Sequence, residues 1–122
     1  MRKVLILLFT AVVVGAVLVA GASAKRSATP VLTGTVGPAY TISVKMNGKT
    51  VKTLKAGTYK VVIHDKATLH GWSLDGPHGF AKDITRVPFV GTKTIVLKLN
   101  AGGYKYYCPP HEPTMFGHFT VK

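Results

Sequence analysis

Apolar and polar residues alternate along most of this chain with the two-residue period of half-buried strands. Tyr40, Ile42, Val44 and Met46 alternate with Thr41, Ser43 and Lys45, giving one apolar and one polar face. Asn47-Gly48 follows directly, and both residues tolerate the positive φ of a two-residue hairpin turn. A return strand is expected through residues 49–54. After a turn at Ala56-Gly57, Tyr59, Val61 and Ile63 alternate with Lys60, Val62 and His64. His70, Trp72 and Leu74 share a face until Asp75-Gly76-Pro77 breaks the strand. Ile95, Leu97 and Leu99 alternate with Thr94, Val96 and Lys98. Residues 100–103 turn into a strand at 104–108, and Phe119 and Val121 point inward on the last strand. Short strands with turn signals at this spacing, and no helical period after the N-terminal apolar run, predict an all-β chain folded as an antiparallel β-sandwich.

The N-terminus adds a destination. Met1-Arg2-Lys3 is positive, residues 4–20 are almost unbroken apolar, and Ala22-Ser23-Ala24 is a site of small residues before Lys25-Arg26-Ser27. This is the three-part pattern of a secretory signal peptide, residues 1–24. A retained anchor is the rival reading, because the apolar run approaches the length that spans a bilayer. Export to the periplasm, cell surface or medium is expected either way. Residues 25–30 read as a flexible polar lead-in and residues 31–122 as one domain with room for one core.

Charge changes the picture of partners. Without Arg2 and Lys3 the chain keeps 14 basic residues against Asp65, Asp75, Asp83 and Glu112, a net charge of +10. Such a field speeds encounter with acidic proteins or anionic membrane surfaces and says nothing about fold. No nucleic-acid recognition motif accompanies the charge, and an exported chain is an unsuitable binder of nucleic acid.

The candidate chemistry lies in "YCPPHEPTM", residues 107–115. Cys108 is the chain's single cysteine, so it has no partner for an intramolecular disulfide. Tyr104, Tyr106 and Cys108 lie on one face of their strand, which aims the thiol inward. His111 and Met115 follow in a loop stiffened by Pro109, Pro110 and Pro113. Thiolate, imidazole and thioether together favour copper over hard cations. Zinc takes thiolate and imidazole but seldom thioether. A blue-copper site needs a second histidine. His64 shares a face with Lys60, His78 lies in a Gly/Pro loop, and His118 is out of phase with Phe119 and Val121. His70 alone shares an inward face with large apolar residues. The expected ligands are therefore His70, Cys108, His111 and Met115.

The stretch "GGYKYYCPPHEPTMFGHFTVK" resembles the C-terminal end of the plastocyanin/azurin-type cupredoxins, through G-x-Y-x-[FY]-Y-C-x-P-H and then M-x-G-x-[apolar]-x-V. "ATLHGWSLDGP" is similar to their segment carrying the first copper histidine. The resemblance is close over the last twenty residues and loose over the remaining domain. It implies a Greek-key cupredoxin sandwich over residues 31–122, one type 1 copper, and single-electron transfer rather than enzymatic turnover. It also implies that His111 is the electron port, ringed by Pro109, Pro110, Pro113 and Phe116, and that a monomer meets a redox protein. Two departures stand out. Glu112, Pro113 and Thr114 make a three-residue spacer where plastocyanin-like loops have four and amicyanin-like loops two. Gly71 stands where plastocyanins carry an asparagine that ties the ligand segments together. Two rivals use the same residues differently. One is a copper carrier or buffer, which the small number of methionines disfavours. The other is a metal-free basic binding module, which makes the spacing of Cys108, His111, Met115 and His70 a coincidence.

Overall fold

A computed structural model of the protein describes residues 28–122 together with Gly15 and Ala16. The expected signal peptide and residues 25–27 of the lead-in lie outside the described part, apart from those two residues.

Among the described residues ten strands run in chain order: β1 (Val31–Val36), β2 (Ile42–Met46), β3 (Lys49–Thr50), β4 (Thr53–Leu54), β5 (Gly57–Asp65), β6 (Trp72–Asp75), β7 (Ala81–Thr85), β8 (Gly91–Leu99), β9 (Gly102–Tyr107) and β10 (Phe116–Val121). One sheet has the order β3-β2-β1-β5-β8 and the other β4-β10-β9-β6-β7. Alternation predicts which side chains close the gap between them. Leu32, Val36, Val44, Val61, Ile63, Leu97 and Leu99 come from the first sheet, and Trp72, Leu74, Tyr104, Tyr106, Phe119 and Val121 from the second; all are buried. Aromatic stacking dominates the second layer. Trp72 lies parallel to Tyr106 with centroids 5.8 Å apart, and Tyr104 parallel to Phe119 at 5.2 Å. The buried Trp72 indole keeps a partner by donating to the Ser43 carbonyl at 3.3 Å.

The sandwich is as expected, but its sheets are mixed rather than purely antiparallel. β1 runs parallel to β5, and β10 parallel to β4. The expected return strand at 49–54 divides between the two sheets. Asn47 and Gly48 do take positive φ, and Met46 pairs with Lys49. The chain then passes the buried Val51 and crosses, so that Thr53 and Leu54 join β10 in the opposite sheet. β1 lacks a continuous apolar signature because its middle inward position is Gly34. Neighbours in both sheets account for that glycine: a Cβ there would strike Ile63 Cδ1 of the adjacent β5 and come within 3.0 Å of the Trp72 ring of the opposite sheet. Tyr40, expected on the inward face of β2, precedes that strand and is 63% exposed.

This packing can be tested in two ways. Gly34→Val forces apolar volume against Ile63 and Trp72 and is expected to cost about 1–3 kcal/mol, read from urea unfolding midpoints. Burial holds the phenols of Tyr104 and Tyr106 above their ordinary pKa of 10.0. The unfolded chain ionises them first, so the folded state loses stability as pH rises beyond 10 and keeps it in full below. Unfolding midpoints measured from about pH 9 to about pH 11 should therefore fall across the upper part of that range.

Candidate metal centre

The antiparallel register of β6 with β9 sets the site. Ser73 lies opposite Tyr107 and Leu74 opposite Tyr106, so residues just before β6 meet the residue just after β9. His70 and Gly71 come from the first segment and Cys108 from the second. His70, expected at the start of its strand, sits two residues before β6, at the end of a turn closed by its N–H on the Ala67 carbonyl at 3.3 Å. Ladder pairing resumes only at Trp72, where the register with β7 is shifted.

The loop from Cys108 to Met115 is held by its own backbone. A short 3₁₀ turn covers Pro109–His111, and the His111 N–H donates to the Cys108 carbonyl at 3.0 Å. The His111 carbonyl accepts from both Thr114 and Met115, at 3.0 and 2.9 Å. The Cys108 N–H closes the loop on the Met115 carbonyl at 3.0 Å. The three-residue spacer therefore fits inside a closed turn. Met115 is 1% exposed and packs into the core beneath it. Lys105 braces the rim, 2.7 Å from Glu112 and over the rings of Tyr107 and Phe116.

Three donor atoms converge. Cys108 Sγ lies 3.7 Å from His70 Nδ1 and 3.6 Å from His111 Nδ1, and the two nitrogens are 3.2 Å apart. Ligand bonds of about 2.0 Å to nitrogen and about 2.3 Å to sulfur, spread in a plane, separate such donors by about 3.5–3.8 Å. The set fits one soft or borderline metal ion with little rearrangement. His70 and Cys108 are fully buried and His111 half-buried. His64, His78 and His118 stay outside: His64 meets Thr92 Oγ1 at 3.0 Å, and the other two are exposed. This is the one metal-capable group of histidine, cysteine and acidic residues among those described.

Gly71 answers for the missing asparagine. Its backbone N–H donates to Cys108 Sγ at 3.4 Å, tying the ligand segments together without a side chain. A Cβ at Gly71 would lie 2.8 Å from the Thr85 carbonyl oxygen, so the close packing of β7 requires glycine here.

One feature is invisible in the sequence pattern. Tyr40 stands over the site, its ring 5.3 Å from that of His70 and 5.0 Å from that of His111, at interplanar angles of 75° and 89°. No periodic pattern reports such a contact, because Tyr40 lies in the irregular connection between β1 and β2. Tyr107, beside Cys108, faces away and donates to Asp75 Oδ1 at 3.3 Å. Burial, followed by the nearby carboxylates of Asp75, Asp83 and Glu112, holds its phenol above the ordinary value of 10.0.

No protein-family model and no curated protein sequence matches the chain. Solved structures do. The copper protein rusticyanin aligns over 80% of this chain and 80% of its own, at 20% identity and a TM-score of 0.57. Rusticyanin from Thiobacillus ferrooxidans aligns over 80% and 79%, at 23% identity and a TM-score of 0.52. A tryptophan-to-tyrosine variant of amicyanin in its reduced form aligns over 80% and 87%, at 16% identity and a TM-score of 0.51. At these identities the likeness carries the fold, and the chemistry rests on the residues themselves. The chain has the cupredoxin fold, with His70, Cys108 and His111 gathered at one end of the sandwich as a donor set that fits one type 1 copper.

Proposed function

We propose that this protein is an exported one-electron carrier with a mononuclear type 1 copper site. His70, Cys108 and His111 supply the plane of ligands and Met115 the axial thioether. The observation that carries the reading is the convergence of one thiol and two imidazoles within 3.2–3.7 Å, in a site where cysteine and one histidine are wholly buried. Bound copper supplies a one-electron couple between Cu(I) and Cu(II). The protein's part is to hold one arrangement that serves both states. Cys108 binds as a thiolate, which requires loss of its proton on loading. The closed 108–115 loop and the Gly71 bond resist movement of the sulfur. The burial of Cys108 and Met115, at 0% and 1% exposure, opposes the rival role of a copper carrier, whose cargo must be handed on.

His111 offers the route to a partner, since it alone of the three donors reaches the surface. Pro109, Pro110, Pro113 and Phe116, close to it in the chain, are exposed. Beside Cys108 a groove of about 500 Å³ is lined by Gly71, Val87, Pro109, Pro110 and the Asp83–Arg86 ion pair. A small apolar patch on a strongly basic protein suits brief encounters with an acidic redox protein.

Adding one equivalent of Cu(II) to the purified protein is expected to give an intense visible thiolate-to-copper band with narrow EPR hyperfine splitting. Cys108→Ser should abolish it; a wild-type protein without the band would sink the electron-carrier reading. Met115→Leu should keep the band yet raise the reduction potential, because the thioether favours Cu(II) more than leucine does. An unchanged potential in Met115→Leu would remove Met115 from the ligand set.

A further inference from the structure

A histidine that binds a metal through one ring nitrogen ordinarily donates its other N–H to a carboxylate, a carbonyl or water, and that bond fixes the ring's orientation. Neither imidazole of this site has such a bond to protein among the described residues. His70 Nε2 is buried without a hydrogen-bond partner among the described residues. The side-chain hydrogen bonds of His111 stay within the donor cluster. His111 is half-buried and can turn its outer N–H to water, whereas the buried His70 has only packing to hold its ring.

The group in place is Tyr40. Its ring touches both imidazoles, and the two imidazoles meet each other at 5.0 Å and 77°, so the three rings are pairwise edge to face. Such pairs prefer this geometry and resist rotation of either ring out of it. Tyr40 is positioned in turn by the connection between β1 and β2, where the Gly37 N–H donates to the Thr41 carbonyl at 3.0 Å and the Thr41 N–H to the Ala39 carbonyl at 2.8 Å. The tyrosine is 63% exposed, which is poor use of an aromatic residue as core and natural for a cover.

We propose that Tyr40 is a positioning residue that clamps both imidazole donors from the solvent side, standing in for the outer hydrogen bond His70 lacks and slowing release of the metal. The inference rests on the metal-site reading above but not on copper redox chemistry. The clamping element is the aromatic ring, not the hydroxyl, so phenylalanine must serve and alanine must not.

The test uses the full protein and redox-inert zinc. Wild type, Tyr40→Phe and Tyr40→Ala are loaded with Zn(II), and transfer to a colorimetric chelator is timed. Tyr40→Ala is expected to release zinc about tenfold faster, the effect of losing two aromatic contacts of ordinary strength. Tyr40→Phe should match wild type, and the three metal-free proteins should melt alike because the residue is outside the core. Metal-free wild type gives a second reading: nuclear Overhauser contacts from the Tyr40 ring to both imidazoles. Their absence overturns the clamp whatever the variants do. Equal release rates in wild type and Tyr40→Ala also overturn it. If Cu(II) gives no blue band while Tyr40→Ala still sheds zinc faster, the clamp stands and the electron-carrier reading falls.

Discussion

The site depends on one contact between backbone and sulfur. The Gly71 N–H meets Cys108 Sγ at 3.4 Å, and that bond exists because β6 and β9 pair in a single register. Slipping that pairing by one residue would turn the inward side chains of one strand outward and carry Cys108 away from His70. The register is protected by what lies on the inner face. Trp72 and Leu74 of β6 and Tyr104 and Tyr106 of β9 are all buried, and Trp72 stacks on Tyr106. The aromatic layer is therefore more than filler: it fixes the alignment that brings the first ligand segment to the second.

The strands with clean alternation are legible in the sequence because burial acts directly on each of their side chains. Tyr59, Val61 and Ile63 of β5, and Phe119 and Val121 of β10, are buried as the pattern requires. The cysteine loop is legible for a different reason: thiol, imidazole and thioether seldom fall so close together in a chain unless a metal draws on all three. β1 is hidden because Gly34, the residue that lets the sheets approach, removes the apolar signal at its own position. The crossing of 49–54 between sheets is hidden because two residues per strand are too few to show a period. Tyr40 falls on the wrong face in the pattern because its alternation with Ile42 extends back beyond the first residue of the strand.

Preformed sites and transfer sites make opposite demands on a fold. A donor that must give up its metal needs room for another ligand to enter. Here the thiol and one imidazole are sealed within the sandwich, and the second imidazole sits in a loop whose carbonyls and N–H groups satisfy one another. Rigidity of this kind suits a metal that stays while something lighter than an atom moves.

The two consecutive prolines after Cys108 have an electronic consequence as well as a mechanical one. Neither has an N–H, so the chain immediately beyond the cysteine cannot turn a donor back onto the sulfur. The next N–H, that of His111, is spent on the Cys108 carbonyl. Gly71 is left as the single backbone donor to that sulfur among the described residues. Hydrogen bonding around a cysteine ligand is one of the factors that set a copper site's potential. A thiolate with few donors would keep more of its negative charge to share with a bound metal. With a metal bound at Cys108, the prolines would thus leave the covalency of the metal–sulfur bond under the control of one amide on a neighbouring segment.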